Sequence, residues 1–504
     1  MKPVANTENF VANYRKALSN GQLQQALAKA TTKFTAAREE AAFSLGLNEW
    51  EDLRQRAREV KEHTLLNLDY YLEQFATNVE RLGGHVFWAS DAEDANRYII
   101  NLARSRGVSL AVKSKSMMTE EIDLNHALKD AGVEAVETDL GEYIVQLAGE
   151  RPSHITAPAI HKTRGDVADL FTEKLNVAWT SEIKDMTALA RRILRERFAA
   201  AGMGITGANF AIAETGTIVL VENEGNIRLT TSLPRVHVAL MGMEKVIPRL
   251  LDLEIFLKLL PRSASGQKIT SYLSFLSGVK GETSEEGPEE LHVVILDNGR
   301  SRMLANPHLR ESLYCIRCGA CLNTCPVYQK IGGHAYGWIY PGPIGAVLTP
   351  QLIGRERAAD LPFASSLCGA CKDVCPIKIN IPDMLLHLRH EIKEPERAES
   401  SHAPAVKAAL KGRVTHVAEQ WAFRVWAAAM KNMGRYRFAA RAARLAQRMF
   451  GTKRLQSSRL LPLSRWTETR DLPSFAGQTF RERWAEISKA AERERQNLEV
   501  TEKR

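Results

Sequence analysis

All seven cysteines of this 504-residue chain lie within sixty-one residues, in two runs. The first is Cys315-x2-Cys318-x2-Cys321-x3-Cys325-Pro326, and the second is Cys368-x2-Cys371-x3-Cys375-Pro376. Cysteine at this spacing, closed by proline, is the ligand pattern of paired [4Fe–4S] clusters, in which the last cysteine of each run ligates the other cluster. A disulfide framework does not fit an odd number of cysteines packed into two short runs of a long chain. Structural zinc takes four ligands, often as two separated pairs, whereas C-x2-C-x2-C suits three corners of one cubane. The runs therefore predict two iron–sulfur clusters and a chain that moves electrons.

The second run is one cysteine short: three residues before Cys368 stands Ser365. Crossed pairing assigns Cys315, Cys318, Cys321 and Cys375 to one cluster and leaves Cys325, Cys368 and Cys371 for the other. Three outcomes are open for the iron that lacks a thiolate. Ser365 or Ser366 supplies an alkoxide, water or substrate occupies the position, or the iron is lost to leave [3Fe–4S]. An oxygen ligand shifts the potential, because ligand type and net charge set it. The plainer alternative is that Ser365 only lines the site.

A chain this long exceeds a single core, so two or three domains are expected. Its 44% apolar and 25% charged residues are ordinary for a globular protein. No stretch reaches the ~18 uninterrupted apolar residues of a membrane span, and Met1–Lys16 lacks the layout of a secretory signal. With oxygen-sensitive cluster chemistry, this points to the cytoplasm. The net charge of +9 is uneven: Ser401–Arg504 holds 22 Lys/Arg against 9 Asp/Glu. There Arg437, Arg441, Arg444 and Arg448 recur at helical spacing, with Phe438, Ala442, Leu445 and Met449 stepping alongside and Trp421, Val425 and Ala428 upstream. Such a helix suits an anionic lipid surface or an acidic partner, or else packs on its own domain. Nucleic acid fits poorly, because no binding-fold signature accompanies the charge.

Residues 1–65 read as a helical segment. From Leu66 the pattern alternates: helix over Leu66–Leu82, strand over His85–Trp88, helix over Asp91–Arg106 and strand over Val108–Val112. Helix over Thr119–Asp130 and strand over Val133–Val136 follow. A long helix from Ser181, with Ser181 as its cap, ends near Gly202. Further strands are expected at Ile218–Val221, Val236–Met241 and His292–Leu296. This alternation predicts an α/β domain with a largely parallel sheet over residues 66–300. Ligands bind such sheets at strand ends, so Asn209, Glu214, Thr215, Glu222 and Asn223 are candidates, with Lys113 and Lys115 placed to meet an anion. Turn geometry alone also accounts for the Gly and Asn residues. The insert Pro326–Leu367 is rich in Gly and Pro and reads as irregular; its Tyr336, Trp338 and Tyr340 either shield a cluster or simply pack the loop down. With each motif leading into a helix, residues 301–395 suggest the helical variety of ferredoxin domain, followed by a basic helical extension over 396–504.

The Ala208–Gly225 segment, the Pro234–Lys245 segment and both cysteine runs, in that order and spacing, resemble the lactate utilisation protein B family over Leu66–His390. The resemblance implies an N-terminal lactate-utilisation (LUD) domain with a fold like that of sugar-phosphate isomerases and CoA transferases, then an α-helical ferredoxin domain. It further implies a part in oxidising L-lactate to pyruvate, beside a cysteine-rich subunit and a smaller subunit with only the LUD-type domain. Carried over, the cluster ligands are Cys315, Cys318, Cys321, Cys325, Cys368, Cys371 and Cys375; no catalytic residue is transferred. The family's second run has the same three cysteines. An electron-transfer subunit is thus the leading expectation, since no G-x-G-x-x-G flavin fingerprint follows a strand. Two others stand beside it: a hydroxy-acid enzyme using the thiolate-free iron as Lewis acid, and a regulatory module binding CoA esters or phosphate near Glu222-Asn223-x-Gly225.

Overall fold

The computed structural model describes residues 5–281, 287–394, 415–450, 474 and 476–502. Residues 1–406 form one compact unit and 407–504 another.

In the first unit strands form where expected at His85–Ala89 (β1), Leu110–Lys113 (β2), Glu134–Glu137 (β3), Val236–Gly242 (β7) and Glu290–Leu296 (β10), and a strand that the sequence patterns did not reveal, Met203–Thr206 (β4), joins them. They make a six-stranded sheet in the order β1-β10-β7-β4-β2-β3, parallel throughout. Its central strands are apolar on both faces, as a sheet covered on both sides requires. Along β7, Val238 and Leu240 join the core beneath the helices of residues 92–130. The alternate residues Ala239 and Met241 join the larger core, which takes in the N-terminal helices and both cysteine runs. A second sheet, β8-β5-β6-β9, is built from Phe210–Ile212 (β5), Thr217–Glu222 (β6), Val246–Ile247 (β8) and Tyr272–Leu276 (β9). Gly204 lets the Asn226–Ser232 helix lie on β4: a Cβ there would stand 1.9 Å from the Thr230 carbonyl oxygen.

Local expectations differ from the structure at four places. The helix expected over Thr119–Asp130 is two helices, Met117–Glu121 and Leu124–Asp130, broken where Asp123 turns left-handed at φ 55°. Ser181 does not cap the long helix; Glu182 holds that position over Ile183–Ala200, without a side-chain cap bond. That helix ends on extended Ala201, so Gly202 leads into β4 and is no left-handed cap. The insert is less irregular than its composition suggests. It contains a buried helix, Gly342–Ile353, with Pro343 in its first turn, where a missing N–H costs nothing.

The N-terminal residues read as a separate helical segment form the helices Phe10–Leu18, Gly21–Phe43 and Leu47–Leu66, the last two of which clamp the second cysteine run. Arg54 donates to the carbonyls of Cys375 (3.0 Å from Nε, 2.8 Å from Nη2) and Asp373 (2.8 Å). Arg38 donates to Val374 O at 3.0 Å, and Arg58 to Lys378 O at 2.9 Å.

In the second unit, helices cover Thr415–Met430, Met433–Phe450 and Phe480–Glu502. Trp421, Val425, Phe438, Leu445 and Met449 are exposed, as is Ala428. Arg437 and Arg441 are exposed too, and Arg444 meets Glu482 at 3.2 Å. The side chain of Arg448, and the basic residues of 401–414 and 451–473, lie outside the described residues. Among the described residues no helix is long and apolar enough to cross a membrane.

Candidate metal centre and the adjoining cavity

The two cysteine runs fold alike. Each carries a residue in the left-handed region just before a Cys-Gly pair, Arg317 (φ 61°) in one and Leu367 (φ 55°) in the other, followed by Gly319 (77°) and Gly369 (87°). The turns aim successive thiols at one point and release backbone N–H groups towards sulfur. Arg317 N–H donates to Cys315 Sγ at 3.4 Å, and Ile379 N–H to Cys375 Sγ at 3.4 Å. Cys325 likewise receives the N–H groups of Tyr328 and Val327.

Thiols from opposite runs come together. Cys315, Cys318, Cys321 and Cys375 line one small apolar cavity, walled by Ile316, Ile344, Ile377 and Ile379. Burial and then the neighbouring Cys375 push the Cys318 thiol up, and burial followed by Cys315 and Cys318 does the same to Cys321. In the other group, burial and then Cys325 and Cys368 push Cys371 up to about 12. Cys368 is the exposed member, its thiol lowered by the Ala370 N–H and by the Ser366 hydroxyl. Thiols crowded in this way lose their protons together only if positive charge enters among them. The donor set thus fits iron and sulfide: soft ligands, convergent, with N–H groups aimed at sulfur.

Ser365 occupies the place in the second run that Cys315 has in the first. Its Oγ accepts the Leu367 N–H at 3.1 Å, the bond that Arg317 makes to Cys315 Sγ. Ser366 is instead exposed beside Cys368. Of the insert aromatics, Tyr336 is buried, and its hydroxyl is pushed up first by burial and then by Cys325. Trp338 packs edge-on against Tyr340 at 5.6 Å.

Tyr340 belongs to a buried ionic network that the sequence patterns did not reveal. Arg300 donates from Nη1 and Nη2 to Glu121 at 2.8 Å each, and from Nε to Glu244 Oε2 at 2.7 Å. Tyr340 OH donates to Glu121 Oε2 at 2.7 Å, and Arg317 lies over the Tyr340 ring at 4.5 Å. Burial pushes the Glu244 carboxyl up, but Arg300 and Arg317 outweigh it and hold it at about 2. The network joins the end of β7 to the first cysteine run. Its members are far apart in sequence, and their only local signal was the unassigned Glu244-Lys245 pair after a strand.

The strand-end candidates divide. A cavity of about 320 Å³ opens at the carboxyl ends of the parallel strands, where ligands of such sheets bind. Lys115 after β2, Asp139 after β3, Asn209 after β4 and Lys245 after β7 all line it, as do Glu222 and Asn223. Ile316 and Arg317 of the first cysteine run form another wall. Glu214 and Thr215 are not part of it: Glu214 caps Leu250 N–H at 2.9 Å, and Thr215 bonds Thr217 at 2.7 Å. Lys113 is committed elsewhere, buried against Glu137 at 2.7 Å and Glu120 at 2.9 Å. Glu222 is no free nucleophile, since its oxygens accept the N–H groups of Ile227 (2.7 Å) and Arg228 (3.2 Å).

Comparison with known proteins agrees with this arrangement. The LUD domain family matches residues 72–296, the 4Fe-4S dicluster domain family residues 311–379, and the family of the lactate utilisation protein B C-terminal region residues 387–489. Lactate utilization protein B of Oceanobacillus iheyensis is 44% identical over 482 residues, covering 96% of each chain. The protein of the same name from Bacillus pumilus is 44% identical over 474 residues, 94% of this chain and 96% of its own. That of Shouchella clausii is 48% identical over 399 residues, 79% of this chain and 83% of its own. With its α/β region, its ferredoxin-type module and this likeness along nearly its whole length, the chain belongs to the lactate utilization protein B family.

Proposed function

We propose that the chain is the iron–sulfur electron-transfer subunit of a system that oxidises L-lactate to pyruvate. The observation that carries this reading is the crossed grouping of thiols, with Cys375 of the second run among Cys315, Cys318 and Cys321 of the first. We assign those four as ligands of one [4Fe–4S] cluster, and Cys325, Cys368 and Cys371 as ligands of a second. Ser365 Oγ is assigned the fourth position of the second, supported by its match to Cys315 Sγ. Clusters so bound supply one-electron transfer, and two such centres match the two electrons that lactate releases on becoming pyruvate.

The chain's own residues set the conditions for that transfer. The isoleucines around the first thiol group exclude water, which together with the N–H groups on Cys315 and Cys375 tunes the potential. Exposed Cys368 marks the edge of the second group that a redox partner can approach. The partners are proposed to be a cysteine-rich subunit and a smaller LUD-domain subunit. The exposed apolar and basic residues of the C-terminal helices support a peripheral contact with a partner or an anionic membrane.

The test is anaerobic reconstitution of the three subunits, followed by absorbance and EPR after addition of L-lactate. Reduction of the clusters is expected. Oxidised clusters in the presence of lactate and all three subunits would overturn the reading.

A further inference from the structure

The cavity at the strand ends holds carboxylates and cations, and the carboxylates are the better partnered of the two. Asp139 accepts the Glu142 N–H at 3.1 Å, Glu222 accepts two backbone N–H groups, and Glu224 accepts the Leu140 N–H at 3.0 Å. Two of the cations are left over, and the third is only partly engaged. Among the described residues, Lys115 and Lys245 form no ion pair and no side-chain hydrogen bond, although Lys245 is only 8% exposed. Arg317, with its side chain 9% exposed, pairs with Glu244 through Nη2 at 3.6 Å, but its buried Nη1 has no hydrogen-bond partner. Buried guanidinium N–H groups and ammonium groups are rarely left without an acceptor, because the desolvation cost goes uncompensated.

The geometry points to this cavity as the binding site of a small monocarboxylate, with its carboxylate among Lys115, Lys245 and Arg317. A monoanion is favoured over a phosphate dianion because Asp139 and Glu222 line the same space and repel a second negative charge. Those carboxylates, with the Asn209 amide, suit a neutral polar group at the other end of the ligand, such as a hydroxyl or a ketone. Asn209 Oδ1 already accepts the Val221 N–H at 2.9 Å, which leaves its NH2 for an acceptor. The bound anion would lie one residue from the first thiol group, because the Arg317 backbone N–H donates to Cys315 Sγ. That the acid is a 2-hydroxy or 2-oxo acid rests on the electron-transfer reading above; the binding of a monocarboxylate does not.

The experiment is calorimetric titration of the anaerobically purified, cluster-containing protein with L-lactate, pyruvate, propionate and inorganic phosphate. It is repeated on Lys115→Gln and Lys245→Gln variants whose iron content matches the parent. Saturable binding of lactate or pyruvate is expected, at least tenfold weaker in each variant, with propionate weaker than either and phosphate unable to compete. No saturation by any carboxylate, equal affinity in parent and both variants, or competition by phosphate at equal concentration would each overturn the assignment. If lactate reduces the clusters in the three-subunit mixture while no carboxylate binds this chain alone, the electron-transfer reading stands and only this inference falls.

Discussion

Ser365 stands in the second cysteine run where Cys315 stands in the first: its Oγ accepts the Leu367 N–H at 3.1 Å, as Cys315 Sγ accepts the Arg317 N–H at 3.4 Å. One chain thus carries two copies of the same turn with sulfur at the corner of one and oxygen at the corner of the other. Replacing Ser365 with Cys is expected to keep about eight irons and move the second cluster's potential; Ser365→Ala is expected to leave about seven irons and a [3Fe–4S] EPR signal. Iron analysis with EPR decides it, and an alanine variant indistinguishable from the parent would remove Ser365 from the ligand set.

The proposed crossed ligation makes a specific forecast for single substitutions. Cys375→Ser, in the second run, is expected to disturb the cluster held by the first run and to spare the other. Cys325→Ser is expected to do the reverse. Mössbauer spectra of Cys375→Ser should therefore lose the component that Cys318→Ser loses, and those of Cys325→Ser the component that Cys371→Ser loses. Loss in Cys375→Ser of the component that Cys371→Ser loses would show that each run serves its own cluster.

The N-terminal helices are part of the metal module. Arg54 is buried and spans the carbonyls of Asp373 and Cys375. Arg54→Met keeps the apolar stem but removes these charged hydrogen bonds, at a cost of about 1.5–3 kcal/mol. Lower iron retention after gel filtration and an earlier denaturant midpoint are expected. Iron content and midpoint equal to the parent would show that the clamp is dispensable.

Glu224 supplies a pH dependence of definite sign. Desolvation at the cavity wall, and then Asp139, push its carboxyl from 4.5 up to about 7, although the side chain as a whole is exposed. Between those values the folded chain binds the extra proton, so stability falls as pH rises, and the cost is complete above the folded value. Glu224→Gln is therefore expected to stabilise the protein near pH 8 and to do so less near pH 6, by an amount that solvent screening of the exposed side chain reduces. Thermal unfolding of parent and variant at both pH values measures this. A gain that is larger at the lower pH would refute it.

Much of this chain was legible because its signals are local. Thiol spacing within a run is decided by turn geometry a few residues long, so the cysteines and the place of Ser365 could be read by counting. The parallel sheet was legible because strands covered on both faces must be apolar at nearly every position, as in Val236–Met241. Helix ends were less so, because propensity is weak against tertiary packing: Ser181 lost the cap to Glu182, and Asp123 broke a helix that looked continuous.

What only the tertiary structure decided is which charges meet. Lys113 and Lys115 are two residues apart and looked equivalent, yet Lys113 ends β2 and Lys115 lies in the loop beyond it. One is locked against Glu120 and Glu137, while the other reaches the cavity. Glu121, Glu244, Arg300, Arg317 and Tyr340 carry no periodic or motif signal, and they became one network because the cysteine runs fold against the carboxyl ends of the sheet. The sequence alone determined the metal chemistry, because ligand type and spacing are covalent facts. The tertiary structure decided where lysines without an ion pair face a cavity, because charge complementarity acts through space between residues that are distant along the chain.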